Sequence, residues 1–509
     1  MDRFTQALGA LSTQRLQDMR RGIEKESLRA LPSGQIALTP HPQALGSALT
    51  HPHITTDFSE SQVELITGAH RGVQECLDEL VQVQKFTLSA MGDEMLWVSS
   101  MPCCLPPDDE IPIGQYGASN VGRAKSVYRM GLGYRYGRRM QTISGIHYNW
   151  SLPEVSSDAY FGLIRNFRRR AFLLLYLFGA SPAVCSTFVA GRQHQLQSLT
   201  DHTMYLPHAT SLRMGRLGYQ SDAQASLSVS YNSLQGYGNS LQEALTRPYA
   251  PYQKIGVLGP DGQYRQLGSS LLQIENEFYG TIRPKRTIFP GERPLHALRE
   301  RGVEYVEVRL MDLDPFEPVG INSQTMRFLD VFLLHCLLAD SPPDTPEEIA
   351  AMAHNQNRVA ERGREPGLEL ERGGAMVTLT DWGLDLLRTF TPIAQRLDAI
   401  HGGTAYVEAV AAAQHAMHHP EVLPSARVLR AITEEFGGSF VAFAQAQSAR
   451  TRQAMLHTPL GPLEQQRFEQ QSADSWQDQR KVEAADSMPF DMYLKEYLSP
   501  QRLVAASAS

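Results

Sequence analysis

Polar side chains recur at i and i+2 in several short extended segments of this 509-residue chain, the spacing that places them on one face of a strand. In Gly22-Ile23-Glu24-Lys25-Glu26 the two glutamates share a face. In the run Gln141 to Trp150, Gln141, His147 and Asn149 share one face, while Ile146, Tyr148 and Trp150 take the other. Tyr305, Glu307 and Arg309 alternate with Val306, Val308 and Leu310, as expected when one side packs on a core and the other meets a polar cavity. Ile274-Glu275-Asn276-Glu277 repeats the pattern, and Ile54 to Ile66 adds Asp57 and Glu64.

If these strands share a sheet, its polar face gathers Glu24, Glu26, Asp57, Glu64, His147 and Glu307. Without cations such groups repel one another and resist ionisation, so the sensible occupant is a cluster of divalent ions. Oxygen-rich ligation favours Mg²⁺, with Mn²⁺ tolerated, over zinc. Arg309 and the run Arg283-Pro284-Lys285-Arg286 are candidates for binding phosphate or carboxylate, and Arg129, Arg135, Arg138, Arg139 and Arg213 form a second basic set. For each residue alone, a strand-edge acid or a structural salt bridge is the competing reading. No Walker A motif is present, and Gly131-Leu132-Gly133 is too short for a dinucleotide loop, so ATP, if used, is held by metals rather than by a glycine cradle. His415, His418 and His419 read as an exposed helix end, and Arg168-Arg169-Arg170 as a helix surface.

The elements that must position these groups follow from the wider pattern. The first 310 residues alternate strand-like runs with loops and a few helices, and from about Asp344 nearly every segment has helical periodicity, which predicts an α+β fold with a helical C-terminal third. Thr345-Pro346-Glu347-Glu348 is a helix start, and Gly402-Gly403 and Gly437-Gly438 are helix stops. A division into residues 1–375 and 376–509, or a single unit over 1–509, fits this pattern. The charge is −7, from 47 Lys+Arg and 54 Asp+Glu, which offers no general attraction to nucleic acid or to a membrane surface. The apolar stretch from Ala171 to Gly191 is broken by Gly179, Ser181 and Pro182 and reads as a buried helix followed by a turn. The N-terminal residues lack a secretory pattern, so a cytoplasmic location is expected, and five cysteines without CxxC spacing read as buried or incidental thiols.

The runs Arg21 to Arg29, Ile54 to Phe58, Met140 to Asn149, Gln273 to Glu277 with Ile282 to Arg286, and Glu304 to Arg309 closely resemble the proteobacterial glutamate–cysteine ligase family, also called γ-glutamylcysteine synthetase. The resemblance runs in order from about residue 5 to about residue 495. It implies a glutamine-synthetase-like fold, an open curved antiparallel sheet with surrounding helices whose concave polar face carries Mg²⁺ and ATP at one end and the amino acids at the other. By the matching positions the metal ligands fall on Glu24, Glu26, Asp57, Glu64, His147 and Glu307. The cysteine pocket falls on Tyr128, Arg129, Leu132, Tyr219 and Tyr279, and Arg309 takes the place of the arginine near the transferring phosphate and the acyl group. Glu307 and Arg309 are the candidate catalytic pair. Gln141 and Asn149 join the substrate-binding set, and Arg213, Glu275, Arg283 and Lys285 are candidates for the ATP or phosphate side. A cysteine that some relatives pair with the equivalent of Cys103 has no counterpart here, so a disulfide is not expected.

The resemblance implies ATP-dependent ligation of L-glutamate, through its γ-carboxylate, to L-cysteine by way of γ-glutamyl phosphate, the first step of glutathione biosynthesis. It also implies feedback inhibition by glutathione, and a monomer is expected. The rival readings are a γ-glutamyl ligase of the same fold with another amine acceptor, a metal-dependent nuclease or phosphohydrolase, and a ligase-derived binding protein without turnover.

Overall fold

The computed structural model describes residues 3–218, 222–225 and 227–504. The segments read as half-buried strands form one antiparallel sheet. β1 (Arg20–Ala30) lies at its centre, with β2 (Ile54–Thr56) and β3 (Gln62–Ile66) on one flank and β4 (Met95–Leu96) paired to its C-terminal end. β5 (Ile146–Ser151) pairs with the other edge of β1. A small three-stranded sheet, β6 (Ala183–Cys185), β7 (Gln197–Thr200) and β8 (Thr203–Tyr205), stands apart. β9 (Ile282–Lys285) and β10 (Tyr305–Met311) then complete the main sheet in the order β2-β3-β1-β5-β10-β9. The open antiparallel sheet and surrounding helices agree with the α+β expectation.

The alternation of side chains decides which face packs. Ile23, Tyr148, Trp150, Val306 and Val308 are fully or almost fully buried on one face, where helix Ser157–Phe178 lies across β9 and β10 and helix Val73–Ser89 lies across β1 and β3. Lys25, between the two glutamates of β1, belongs to this inner face. It is 3% exposed and donates to Gln84 Oε1 at 2.6 Å, and burial pushes its ammonium down to about 7. A buried ion pair, Arg21 to Asp330 at 3.1 Å, with the Tyr148 hydroxyl donating to Asp330 at 2.8 Å, bolts β1 and β5 to helix Ser323–Leu338.

From residue 344 onward the chain is helical as expected, except for a hairpin, β11 (Glu369–Arg372) with β12 (Ala375–Thr378). The sequence boundary at 375 falls inside β12. One apolar cluster contains Leu16 and Ile23 as well as Leu387, Phe390, Ile393 and Phe468, so the core itself crosses that boundary. Thr345 caps its helix as the sequence indicates, its hydroxyl accepting from Glu348 N. Among the described residues no helix is long and apolar enough to cross a membrane, and all five cysteines are free thiols.

Candidate active site

Strand register brings the chemical groups together. Antiparallel partners share a face, and Glu24 stands opposite His147, Glu26 opposite Glu64, and Glu307 opposite both Asn149 and Arg283. Segments far apart in sequence thereby place four carboxylates and one imidazole on adjacent rungs of four strands. Asp57 follows β2 at the start of the turn into β3, its amide donating to Gln62 O at 3.0 Å.

His147 is the hub. Its Nδ1 lies 3.2 Å from Glu24 Oε2 and 3.6 Å from Glu307 Oε1, and its Nε2 lies 3.5 Å from Glu26 Oε1. Asn149 Nδ2 donates to Glu24 Oε1 at 2.9 Å, and the Gly145 amide donates to Glu26 Oε2 at 2.8 Å. On the far side Arg309 Nη1 donates to Glu307 Oε1 at 2.9 Å, and Lys285 Nζ stands 3.5 Å from the same oxygen. Charge is unevenly balanced across the cluster. Burial alone would raise Glu307, but Lys285, Arg309 and His147 hold its carboxyl well below the usual range. Glu64, half-buried and facing Glu24, Asp57 and Glu26 with Arg309 in compensation, is pushed well above it by desolvation and its acidic neighbours. Glu26 is raised by burial, against the pull of His147. Burial and Glu307 push Glu24 up, yet the His147 hydrogen bond and Lys285 leave it below its ordinary value.

Two sets of atoms are close enough to share an ion. Ligand atoms of Glu24, His147 and Glu307 lie within 4.8 Å of one another, as do those of Glu26, Glu64 and His147. His147 Nε2 and Glu307 Oε2 are buried without a hydrogen-bond partner among the described residues, which is how ligand atoms look when their ion is left out. The donor set, carboxylate oxygens with one imidazole nitrogen, suits Mg²⁺ or Mn²⁺.

Beyond this cluster the polar face continues into a second region. Helix Asn120–Tyr136, capped by the Ser119 hydroxyl, carries Tyr128, Arg129 and Leu132. Arg129 Nε donates to the Asp57 carbonyl, and its guanidinium lies 4.4 Å from the centre of the Tyr116 ring, which ties this helix to the β2–β3 turn. Leu132 is buried with Phe58, Ile111 and Ile113, with Tyr128 packed against them. Gln141 Nε2 donates to the Tyr279 hydroxyl at 2.9 Å, and Tyr279 packs edge-on against Tyr136. A cavity of about 470 Å³ opens beside Tyr279 and Arg309, walled by helices Ser157–Phe178 and Pro346–Arg362.

Several sequence expectations need correction. Gln141 is not on the strand of His147. It lies in the short 3₁₀ turn Arg139–Thr142, and β5 begins only at Ile146. Ile274 to Glu277 is not a strand either, because Glu275–Glu277 is a 3₁₀ turn whose acids are spent internally. Glu275 pairs with buried Arg293 at 2.7 Å and accepts from Leu295 N, and Glu277 pairs with Arg135 at 2.8 Å and accepts from the Tyr136 hydroxyl. Glu275 therefore stands outside the carboxylate cluster, and Arg135 is a structural cation. Arg283 faces the cluster by register but donates to the carbonyls of Asn276 and Phe278. Arg213 is wholly buried, 3.7 Å from Asp312, and its Nη2 donates to the Arg309 carbonyl. Arg168 and Arg169 are ion-paired with Asp344 and Glu348 rather than simply solvated. Gly131 is a helix-packing position where a Cβ would run into the Gln273 amide. Tyr219 lies outside the described residues.

Sequence reading missed Gln224, whose Nε2 donates to the Tyr136 hydroxyl and the Glu277 carbonyl while its Oε1 accepts from Tyr279 N. It sits in the four-residue helix Asp222–Ala225, too short to show a periodicity that would mark it. It also missed Asp312, which the alternating pattern of β10 could have flagged as the first acid beyond the strand's end.

A family model described as glutamate-cysteine ligase matches residues 6–359. The chain is 47% identical over 512 residues to the glutamate–cysteine ligase of Alcanivorax borkumensis, covering 96% of this chain and 97% of that one. It is also 47% identical over 494 residues to that of Pseudomonas aeruginosa, covering 94% and 93%. The crystal structure of glutamate–cysteine ligase from Francisella tularensis in complex with AMP superposes with a TM-score of 0.90 at 37% identity, covering 94% of this chain and 97% of that one. With identity of this extent added to a carboxylate–imidazole face assembled by strand register, the chain belongs to the glutamate–cysteine ligase family.

Proposed function

We propose that the protein ligates the γ-carboxylate of L-glutamate to the amine of L-cysteine with ATP, releasing ADP and phosphate. The observation that carries this reading is the cluster of Glu24, Glu26, Glu64, His147 and Glu307 beside Arg309, in a chain whose relatives at 47% identity bear the name glutamate–cysteine ligase. The AMP bound by the Francisella tularensis relative supports an adenine nucleotide as co-substrate.

A carboxylate does not acylate an amine at neutral pH because oxide is a poor leaving group. Phosphorylation by ATP gives γ-glutamyl phosphate, and attack of the cysteine amine on its acyl carbon expels phosphate. Glu24, Glu26, Glu64, His147 and Glu307, with Asp57 beside them, would hold Mg²⁺ or Mn²⁺. When bound, these ions neutralise phosphate charge and polarise the phosphoryl oxygens. The chain's own residues do the rest. Arg309, held 2.9 Å from Glu307, would set its guanidinium charge beside the transferring phosphoryl group and the acyl oxygen. Lys285, 3.5 Å from Glu307 and partly exposed, offers a further cation toward the nucleotide phosphates. Tyr128, Arg129, Leu132 and Tyr279 shape the acceptor pocket, with Gln141 fixing the Tyr279 hydroxyl. Because one methylene or thiol group in such a pocket discriminates by only about 1–3 kcal/mol, 2-aminobutyrate is expected to serve as an acceptor.

The same pocket supports feedback control. Glutathione contains the γ-glutamylcysteinyl unit of the product, so it competes with glutamate. A monomer in the cytoplasm completes the reading. The test is ADP release by the purified protein with ATP, Mg²⁺ and glutamate, with and without cysteine, and the product's mass. Strong stimulation by cysteine and appearance of γ-glutamylcysteine are expected. ADP release indifferent to any amine, or a clear preference for a different amine, would overturn the assignment.

A further inference from the structure

The last active strand carries an irregularity at its most important residue. Val308 of β10 pairs with Tyr148, but the next pair is Met311 with Ile146, so three steps on β10 match two on β5 and the extra residue falls at Arg309–Leu310. A bulge of this kind takes backbone groups out of the ladder and re-aims the side chain. Here the Arg309 N–H keeps the β9-side register one step beyond Val308 and Ile282, and it is the carbonyl that is caught by another partner. The N–H donates to Thr281 O at 2.9 Å, and the carbonyl accepts from Arg213 Nη2 at 2.9 Å.

Arg213 reaches that carbonyl through a gap that only glycine leaves open, since a Cβ on Gly145 would come within 2.1 Å of the same Nη2. Behind it stands Asp312, buried and 3.7 Å from Arg213 Nη1. One carboxylate oxygen of Asp312 accepts from Ala180 N at 2.9 Å and the Ser181 hydroxyl at 2.7 Å, and the other accepts from the Ser211 hydroxyl at 3.0 Å. Three chain segments, 180–181, 211–213 and 309–312, therefore meet on one carboxylate that touches none of the cluster acids.

We infer that Asp312 is a positioning residue for the ligation: through Arg213 it pins the bulge at Arg309 and so aims the Arg309 guanidinium at the reacting phosphoryl group. The inference rests on the role proposed for Arg309 above. An aspartate at this place fixes the charge and direction of Arg213, and Arg213 supplies the donor that the bulged carbonyl lacks. Loss of the pin leaves the cluster acids in register, because the ladder pairs of Glu24, Glu26, Glu64 and His147 lie on β1, β3 and β5, and Glu307 pairs with Asn149 and Arg283 before the slip.

The experiment is a double-mutant cycle on kcat, with thermal melts and KM for ATP measured on every variant. Asp312→Asn is expected to lower kcat tenfold or more with KM for ATP within twofold, and Arg309→Lys to lower kcat at least as much. In the Arg309→Lys background, Asp312→Asn should have less than a threefold further effect, because its target is already gone. Equal fold-losses in both backgrounds would show that Asp312 merely supports the fold and would overturn the inference. Near-wild-type turnover of Arg309→Lys would instead overturn the role given to Arg309. If Asp312→Asn fails to fold, Ser211→Ala, which deletes one donor to the same carboxylate, carries the cycle with an expected threefold loss that vanishes beside Arg309→Lys.

Discussion

Glu307→Gln isolates the charge at the centre of the site while preserving shape. The amide oxygen can still accept from Arg309, so the strand and its buried neighbours keep their packing, but two cations lose their counter-charge, Arg309 at 2.9 Å and Lys285 at 3.5 Å, and the His147 ring at 3.6 Å loses its anionic neighbour. A hydrogen bond to an ionised group contributes about 1.5–3 kcal/mol against about 0.5–1.5 for a neutral one, so the weakened hold on Arg309 alone, about 1–1.5 kcal/mol, corresponds to roughly a 5- to 13-fold loss. The variant also removes one of the three ligand groups in the Glu24, His147 and Glu307 set. A fall in kcat of about 100-fold or more is expected, together with a higher Mg²⁺ requirement, read by coupled ADP release at saturating glutamate and cysteine. Glu292→Gln, which breaks the surface pair with Arg301 at 2.7 Å, is the control and should leave turnover unchanged. Turnover of Glu307→Gln within threefold of the parent, at unchanged Mg²⁺ dependence, would refute the placement of Glu307 among the metal-holding and arginine-orienting groups.

Gln141→Ala deletes a neutral hydrogen bond to Tyr279 worth about 1 kcal/mol, so KM for cysteine should rise about fivefold while KM for ATP stays constant, as initial-rate measurements would show. His335 is buried with its Nε2 against the Thr389 hydroxyl, and burial pushes its imidazole down to about 3 from an ordinary value near 6.5. The unfolded chain therefore binds the proton first on acidification, and stability present above pH 6.5 is lost toward pH 3 by up to about 1.4 kcal/mol per pH unit. Thermal melts of His335→Gln should show a shallower decline over that window, and superimposable pH profiles would count against it. A chain truncated after Ala375 loses half of the β11–β12 hairpin and the buried Leu387, Phe390 and Ile393, so it should show no cooperative melt, whereas a sharp transition would establish the region 1–375 as an independent unit.

What the sequence disclosed and what it hid divide along a physical line. Glu24, Glu26, His147, Asn149 and Glu307 were legible because each lies on a strand with one face buried, where a period of two leaves no freedom about which side chains point together. The same rule misled at Glu275 and Glu277, since a 3₁₀ turn also separates polar residues by two, and only Arg293 and Arg135, distant in the chain, decide that these acids are buried as ion pairs. Lys25 was passed over between two informative glutamates although its parity already sent it to the core. The bulge was the deepest omission. Tyr305, Glu307 and Arg309 read as an unbroken alternation, yet the register slips after Val308, and the Arg309 carbonyl at the slip is held by a guanidinium 96 residues earlier in the chain. Local periodicity thus identifies which groups occupy the reactive face, whereas the aim of the residue nearest the chemistry depends on long-range buried charge that no local pattern encodes. In a family that shares the cluster, differences in turnover should accordingly follow substitutions around Asp312 and Arg213 more closely than substitutions along the exposed helices of the C-terminal third.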